Sequence, residues 1–291
     1  MKLITFTQAG KTRIGIWRDA GVVDLSVCAP ELPGSMLEFL NLGAPALATA
    51  ASHGSDAVHF AHDQVKLEAP VTRPGKILAI GLNYRAHAEE SGAEIPQVPL
   101  VFTKQATSAT GPYDDVYSPP ETKMLDYEGE LGIIIGKRCR RVPKAHAKDV
   151  IAGFCVVNDV SVREWQLRGK PPQFTMGKSW DSHCPFGPTL VTPDEVDPHN
   201  LGLRTLVNGV VRQDSNTNDL IFNCYELIEF LSTAFTLEPG DLIVTGTPAG
   251  VGMAMKPPAP LAIGDKVRVE IEGLGAIENT IIAEPAAVVM Y

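Results

Sequence analysis

The sequence has little of what marks a membrane, secreted or nucleic-acid-binding protein. No apolar run approaches the roughly 20 residues that a membrane-spanning helix needs, and the most apolar stretch, 37–51, is broken by Glu38, Asn41 and Pro45. Polar side chains interrupt the first residues at once, which argues against a secretory signal. The 25 basic residues are scattered, and the formal net charge is −9. We therefore expect a cytoplasmic protein with neither a membrane nor a nucleic-acid partner.

Cysteine is also scarce and never closely paired. The five cysteines are Cys28, Cys139, Cys155, Cys184 and Cys224, and none belongs to a CxxC pair. Neither a disulfide framework nor a zinc site is suggested by this spacing, which favours a reducing compartment. Cys184 lies among polar residues, but no neighbouring base is defined, so we expect all five to be small buried residues.

The chain is long enough to bury a proper core. Its 291 residues are 44% hydrophobic, enough for one large domain or two smaller ones. Apolar and polar residues alternate at the start, which predicts an antiparallel meander, and 35–62 has helical spacing. Two prolines and a glycine between 67 and 75 indicate a boundary. The predicted domains are a small N-terminal one, 1–70, and a catalytic one, 71–291.

The region after this boundary is rich in short β-type runs and turns. Helices do not follow strands regularly enough for a repeating βαβ unit, and 26 glycines and 23 prolines supply many turns. We predict an α+β fold of mostly β character. The predicted strands cover 77–80, 131–135, 154–157, 242–245 and 267–271.

Two carboxylates precede one of these strands. Residues i and i+2 of a strand face the same side, so Glu128 and Glu130 would lie together. Two like charges a few ångströms apart need a cation, or one of them must take a proton. Oxygen ligands of this kind suit Mg²⁺, Mn²⁺ or Ca²⁺. By itself the motif is equally consistent with an exposed edge strand that carries solvated glutamates.

A third carboxylate follows another apolar strand. Asp159 or Ser161 is expected to cap a helix on which Arg163 and Gln166 share a face. An acid, a cation and an amide would then meet at one strand end. The alternative is an ordinary helix cap beside a surface arginine.

A polar segment bracketed by glycines, 81–92, contains a possible general base. If it is helical, His87 and Glu90 fall on one face, where a carboxylate can orient a histidine and hold its tautomer. The glycines would suit a lid. A surface helix with an incidental histidine and glutamate is the alternative.

Two turns, 175–181 and 245–252, are rich in small residues and hydroxyl groups. The second lacks the GxxxxGK[ST] pattern of a phosphate loop, so a nucleotide ligand is not expected. Close approach of the backbone to a small polar ligand explains the glycines better.

The order of these motifs resembles the fumarylacetoacetate hydrolase superfamily from about residue 76 to 284. The matching segments are Asn83-Tyr84 with His87 and Glu90, Phe102-Thr103-Lys104, 126–131, Asn158-Asp159 with Arg163 and Gln166, Gly177-Lys178-Ser179 with Asp181, Val207-Asn208-Gly209, and 245–252. The resemblance implies a mixed β-sheet catalytic domain of this type, preceded by a small N-terminal domain. It also implies a homodimer.

The resemblance further implies a site for one divalent ion. Glu128, Glu130 and Asp159 would bind it, with Mg²⁺ expected and Mn²⁺ or Ca²⁺ able to take its place. The remaining implied site residues have catalytic or substrate-binding roles. The catalytic residues would be His87, Glu90, Lys178 and Gln166, and the substrate-binding residues Tyr84, Arg85, Lys104, Arg163 and Thr247.

The substrate implied is a small anionic oxo acid. The reaction expected from the resemblance is metal-dependent hydrolysis of a carbon–carbon bond in a 2,4-dioxo acid of the acylpyruvate type, which gives pyruvate and a carboxylic acid. Water activation by His87, oriented by Glu90, would start it. A decarboxylase of oxaloacetate or a related oxo-dioate, an isomerase of an unsaturated oxo-dioate, and a non-catalytic metal-binding protein remain alternatives.

Overall fold

The structure, a computed structural model, describes residues 1–286. The strands are β1 (Lys2–Gln8), β2 (Lys11–Arg18), β3 (Gly21–Asp24), β4 (Lys66–Glu68), β5 (Ile77–Gly81), β6 (Leu100–Lys104), β7 (Ala109–Thr110), β8 (Val116–Ser118), β9 (Leu125–Asp126), β10 (Gly129–Ile135), β11 (Ile151–Asn158), β12 (Ser161–Val162), β13 (Cys184–Val191), β14 (Gly202–Val207), β15 (Val210–Asn216), β16 (Leu242–Val244), β17 (Lys266–Ile271) and β18 (Gly275–Ala283). The predicted mostly β fold is confirmed.

Helices are short and few by comparison. The α-helices are α1 (Leu25–Cys28), α2 (Met36–Leu42), α3 (Ala44–Ser52), α4 (Arg85–Glu90), α5 (Arg163–Gln166), α6 (Phe174–Lys178) and α7 (Cys224–Ala234). Short 3₁₀ helices lie at His62–Gln64, Ala106–Ser108, Lys144–Val150, Thr217–Asp219 and Gly252–Ala254. Within the described residues, no helix is long and apolar enough to cross a membrane.

One large mixed sheet organises the molecule. Its strands run in the order β3-β2-β1-β13-β11-β10-β16-β5-β6, with β4 beside β1 and β7 beside β13. A second sheet has the order β15-β14-β17-β18-β8, and β12 pairs with β9. All five strands predicted after residue 76 are present. Four are apolar runs that are buried in the large sheet, whereas 267–271 alternates buried and partly exposed positions as β17 of the second sheet.

The N-terminal meander continues the large sheet. Strands β1, β2 and β3 pair antiparallel as predicted, and β1 also pairs antiparallel with β13, where Leu3 lies opposite Leu190. The strands on both sides of the predicted boundary at 70/71 therefore share one sheet. That division stays a prediction, and the last positions of the predicted catalytic domain, 287–291, lie outside the described residues.

The helical prediction for 35–62 was too long. The helices α2 and α3 meet at Gly43, whose φ is 68°, and α3 ends at Ser52. After that the chain returns to the sheet, where the backbone N–H of Val22 donates to the carbonyl of Phe60 at 2.8 Å. Residues 59–60 therefore form hydrogen bonds with β3 instead of continuing the helix.

The core on one face of the large sheet lies beneath the second sheet and α7. Ile133 and Phe154 from the large sheet are buried in the same cluster as Leu203 and Leu227. Asn223 caps the start of helix α7, because its side chain accepts from two backbone N–H groups in the first turn. This packing fixes β10 and β11, whose ends hold the polar residues described below.

The cysteines differ from the prediction at two positions. Cys155, Cys184 and Cys224 are buried, whereas Cys28 and Cys139 are half-buried, and all five thiols are free. Cys28 ends the short helix α1, which places its side chain at the edge of the N-terminal core.

Candidate active site

Three carboxylates meet at one end of the neighbouring strands β10 and β11. Glu130 belongs to β10, Asp159 directly follows β11, and Glu128 precedes β10. The backbone N–H of Asp159 donates to the carbonyl of Glu128 at 2.8 Å. All three side chains are buried, and their ligand oxygens lie within 4.8 Å of one another. The alternative of an exposed edge strand is therefore wrong.

Two local expectations about these carboxylates were wrong. Glu128 is outside the strand, and its backbone N–H is held by Asn158 Oδ1 at 3.0 Å rather than by strand alternation. Neither Asp159 nor Ser161 caps α5, which begins after Val162 without a side-chain cap. Asp159 instead directs its carboxylate into the cluster, where cations contact it.

Three buried cations contact the carboxylates. Lys178 Nζ lies 2.7 Å from both Glu128 Oε2 and Asp159 Oδ2. Lys104 Nζ lies 2.6 Å from Asp159 Oδ1, and Arg163 Nη1 lies 2.7 Å from Glu128 Oε1. The positively charged side chains expected around the site therefore directly contact two of the three carboxylates, Glu128 and Asp159.

The pKa values of the two glutamates move in opposite directions. Burial opposes ionisation of Glu128, but Lys178 and Arg163 outweigh it and lower its pKa to about 2. Burial raises the pKa of Glu130 well above its usual range, and the charges of Asp159 and Glu128 add to this effect. Glu130 accepts a hydrogen bond from the backbone N–H of Gly246. Of the three carboxylates, Glu130 is therefore the one whose ionised form a further cation would stabilise most.

The donor set fits a divalent ion. Buried carboxylate oxygens this close together are ligands that Mg²⁺ and Mn²⁺ prefer. The nearby Tyr84 hydroxyl is fully buried and has no hydrogen-bond partner among residues 1–286. Three protein ligands would leave coordination positions for a substrate and water.

The predicted histidine–carboxylate pair is present on α4. His87 Nδ1 lies 3.3 Å from Glu90 Oε2, as the i, i+3 spacing predicts. The backbone N–H of Gly250 donates to Glu90 Oε1 at 3.0 Å. Glu90 therefore orients the imidazole of His87, and it also links α4 to the 245–252 turn.

One cavity of about 160 Å³ brings most of these groups together. Its polar lining consists of His87, Ser91, Glu128, Arg163, Gln166, Lys178 and Thr247. Its apolar walls include Phe102 and Phe174, whose rings stack at 5.5 Å. The cavity therefore places a histidine, one carboxylate of the cluster and several hydrogen-bonding groups around a small volume.

Three predicted substrate contacts do not line this cavity. Lys104 and Tyr84 are buried behind it. Arg85 is exposed and donates to the backbone carbonyls of Asp219 and Leu220. Side chains two positions apart on a helix point in different directions, so α4 cannot direct both Arg85 and His87 into the site.

Sequence reasoning missed the residues that hold the site in place. Asp126 accepts from Arg163 Nε at 2.9 Å and from the backbone N–H of Gly252 at 2.8 Å. Gln213 Nε2 donates to Thr247 Oγ1 at 2.8 Å, and its Oε1 accepts from the backbone N–H of Gly129. Asp126 belongs to a recognised motif, but no local pattern around Gln213 indicates its role.

Comparison with known proteins identifies the family. The family model described as fumarylacetoacetate (FAA) hydrolase C-terminal matches residues 76–282. The chain belongs to the fumarylacetoacetate hydrolase family. This confirms the family predicted from the motifs, and the fold is confirmed by solved structures of the same family.

Two relatives are similar over most of this chain and most of their own length. A Xenopus laevis protein named oxaloacetate tautomerase fahd2, mitochondrial, is 43% identical over 97% of this chain and 90% of its own length. Oxaloacetate tautomerase Fahd2a, mitochondrial, from Rattus norvegicus is 44% identical over 90% of this chain and 84% of its own length.

The solved structures cover nearly the whole chain. A fumarylacetoacetate hydrolase from Exiguobacterium antarcticum is 36% identical, with a TM-score of 0.84. Maleylpyruvate hydrolase from Sphingobium sp. SYK-6, in complex with manganese(II) ion and pyruvate, is 30% identical, with a TM-score of 0.82. Each covers 98% of this chain and 100% of its own. The chain is thus an enzyme of a family with a metal-containing member of closely similar fold.

Proposed function

We propose that this protein catalyses metal-dependent keto–enol interconversion of a small 2-oxo dicarboxylate of the oxaloacetate class. The observation that carries the proposal is that His87, which contacts Glu90, and Glu128, one of the three clustered carboxylates, line the same small cavity. Proton transfer at a carbon beside a carbonyl needs a base, here His87, and positive charge near the carbonyl oxygen, which Lys178 and Arg163 in the lining provide. The names of the frog and rat relatives support the substrate class.

His87 performs the proton transfer in this proposal. Its Nδ1 faces Glu90, which leaves Nε2 to exchange protons with the substrate. In the keto-to-enol direction, Nε2 takes a proton from C3, and the electron pair of that bond forms the C2–C3 double bond. The carbonyl oxygen gains a proton from solvent, and the protonated His87 releases the C3 proton to solvent, which restores the base. Glu90 holds the tautomer of His87 and stabilises its protonated form.

The polar lining binds and orients the anionic substrate. Lys178 and Arg163 provide positive charge, and Gln166 and Thr247 offer hydrogen bonds. Glu128, Glu130 and Asp159 would hold the divalent ion, which when bound would supply positive charge to the oxygen of the 2-oxo acid. The stacked rings of Phe102 and Phe174 exclude water from one side of the cavity.

Hydrolysis of an acylpyruvate, the reaction expected from the sequence, is the second candidate. It is favoured by the structural similarity to maleylpyruvate hydrolase with its manganese ion and pyruvate. The same His87–Glu90 pair would activate a water molecule instead of a C–H bond. Keto–enol interconversion was not among the reactions predicted, although oxaloacetate was considered as a substrate for decarboxylation.

The test is to follow two products in parallel with one enzyme preparation. The ultraviolet absorbance of enol-oxaloacetate reports its conversion to the keto form, and a lactate dehydrogenase-coupled assay reports pyruvate. We expect faster loss of the enol with Mg²⁺ or Mn²⁺ than with a chelator, and no pyruvate. Pyruvate from an acylpyruvate would favour hydrolysis, and pyruvate from oxaloacetate would favour decarboxylation. No acceleration of the enol decay would overturn the proposal.

We also propose that the active protein is a homodimer in the cytoplasm. The support for the dimer is the family resemblance. The frog and rat relatives carry mitochondrial names, so fractionation of the source cells is the measurement that tests the compartment.

A further inference from the structure

A second group of metal-ligating side chains lies in the N-terminal part of the chain. Cys28 is the last residue of α1, His53 follows the last residue of α3, and Asp56 lies in the next turn. One ligand atom from each lies within 4.8 Å of the other two, and all three residues are half-buried. None of them lines the candidate active-site cavity.

The chemistry of this group differs from that of the carboxylate cluster. A thiolate, an imidazole and a carboxylate together suit Zn²⁺ and related transition-metal ions rather than Mg²⁺. From zinc bond lengths of about 2.0–2.3 Å, ligand atoms in a tetrahedral site lie roughly 3.5 Å apart. Ligand atoms as much as 4.8 Å apart would therefore need to close by up to about 1.3 Å, and His53 Nδ1 and Asp56 Oδ2, 2.7 Å apart, would need to open by about 0.8 Å. Rotation of partly exposed side chains allows both changes.

The backbone already holds two of the ligands side by side. The N–H of Asp56 donates to the carbonyl of His53 at 3.1 Å, which closes a turn between them. His53 Nδ1 and Asp56 Oδ2 are consequently 2.7 Å apart. The backbone carbonyl of Asp56 also accepts from Arg18, which anchors the turn to β2.

Negative charge is concentrated around Cys28. The carboxylates of Asp56, Asp24 and Glu31 are all near enough to act on its thiol. Arg13 forms an ion pair with Asp24 at 2.6 Å. Among residues 1–286, no lysine or arginine forms an ion pair with the carboxylate of Asp56. A divalent cation placed between these groups would be attracted by the carboxylates and would favour the thiolate.

We propose that Cys28, His53 and Asp56 form a second metal site that takes a transition-metal ion of the zinc class. Binding replaces the S–H proton of Cys28 with a metal–sulfur bond and releases that proton to solvent. Because the ligands come from the ends of α1 and α3, the ion would link these two helices. The site would therefore stabilise the N-terminal part without taking part in the reaction.

Cobalt(II) is the probe that separates this site from the carboxylate cluster. Bound to a thiolate it gives a near-ultraviolet charge-transfer band, whereas carboxylate ligands do not. We expect titration of the reduced protein in excess Mg²⁺ to give this band with one equivalent of Co²⁺, and Zn²⁺ to remove it. Absence of the band in the unmodified protein would overturn the proposal.

Single substitutions test which side chains bind the metal ion. Cys28→Ser is expected to abolish the band, and His53→Asn and Asp56→Asn to weaken Co²⁺ binding at least tenfold. Cys139→Ser, which removes the other half-buried thiol, and Glu128→Gln are expected to retain the band. Circular dichroism checks that each variant folds. A band that persists in folded Cys28→Ser, or disappears in Cys139→Ser, would contradict the assignment.

Discussion

His87 is the residue on which the proposed chemistry depends most. Its Nδ1 contacts Glu90, its side chain is buried, and it borders the cavity that contains Glu128. The chain also contains a closely similar pair outside the site, because His146 Nδ1 lies 3.3 Å from Asp149 Oδ2 on the surface. The two pairs have the same spacing, and only the first borders the carboxylate cluster.

Replacement of His87 with alanine should lower the rate of enol-oxaloacetate conversion by ~10²-fold or more, since a general base contributes at least that much. Metal binding should be retained, because His87 is not one of the three carboxylate ligands. The measurement is kcat at saturating metal, with Mn²⁺ binding followed by electron paramagnetic resonance. His146→Ala is the matched control, and equal activity of the two variants would refute the assignment of the base.

The carboxylates predict a metal-dependent stability. Addition of Mg²⁺ or Mn²⁺ should raise the Tm of the unmodified protein, because ion binding stabilises the folded state. Glu128→Ala should abolish this rise, and Glu128→Gln should do so with less change in packing. Differential scanning fluorimetry with and without metal is the measurement. Glu89→Ala removes an exposed carboxylate on α4 and should keep the full response, while a full response in both Glu128 variants would contradict the ligand assignment.

At the scale of elements, the site depends on the contact between two segments that are far apart in sequence. Helix α4 holds His87 and Glu90, and the turn that contains Gly250 holds Glu90 from the other side. Gly250 has φ of 103°, and a Cβ atom there would lie 2.1 Å from the carbonyl oxygen of Arg212. Only glycine fits this approach, so the turn and α4 are positioned by backbone packing against β15.

Gly250→Ala should therefore lower both stability and activity. Positive φ alone costs roughly 1–3 kcal/mol, and the clash with Arg212 adds to this and displaces the N–H that holds Glu90. Gly264→Ala is the control, because Gly264 has φ of 95° but nothing within 4 Å of an added Cβ. Urea unfolding and kcat are measured for both. A loss of kcat in Gly264→Ala as large as in Gly250→Ala would argue against a positioning role of this turn.

At the scale of the whole molecule, one continuous sheet connects the N-terminal meander to the strands that hold the site. The β1–β13 pairing and the β11–β13 pairing place the meander two strands from Asp159. The proposed Cys28 site lies on the helices that follow the meander, and none of its three residues lines the active-site cavity. The two metal sites would therefore respond independently to substitution.

The homodimer expected from the family resemblance is a property of the whole molecule, and the mass in solution tests it. One chain has a mass of 31.2 kDa, and multi-angle light scattering at micromolar concentration should give twice this value. The active-site variant His87→Ala should behave in the same way, because it changes no surface residue. A mass of one chain at all concentrations would remove the dimer from the proposal.

Local sequence patterns determined the strands and the one part of the site that lies within a short segment, the His87–Glu90 pair. Apolar runs such as 131–135 formed central strands because burial of both faces favours them. The i, i+3 spacing of His87 and Glu90 placed them on one helical face, since the helix period is fixed by backbone geometry. The three carboxylates were expected together on the family resemblance, and the structure brings them together.

Only the tertiary structure decided which distant groups meet. Lys104 and Lys178 contact Asp159, Gln213 supports Thr247, and Gly250 holds Glu90 across 160 residues of chain. Arg85 points away from the site because of its place on α4. Cys28 and His53 come together although their spacing has no motif. Periodicity and burial act on neighbouring residues, whereas these contacts depend on how the sheets and helices pack, which no short stretch of sequence encodes.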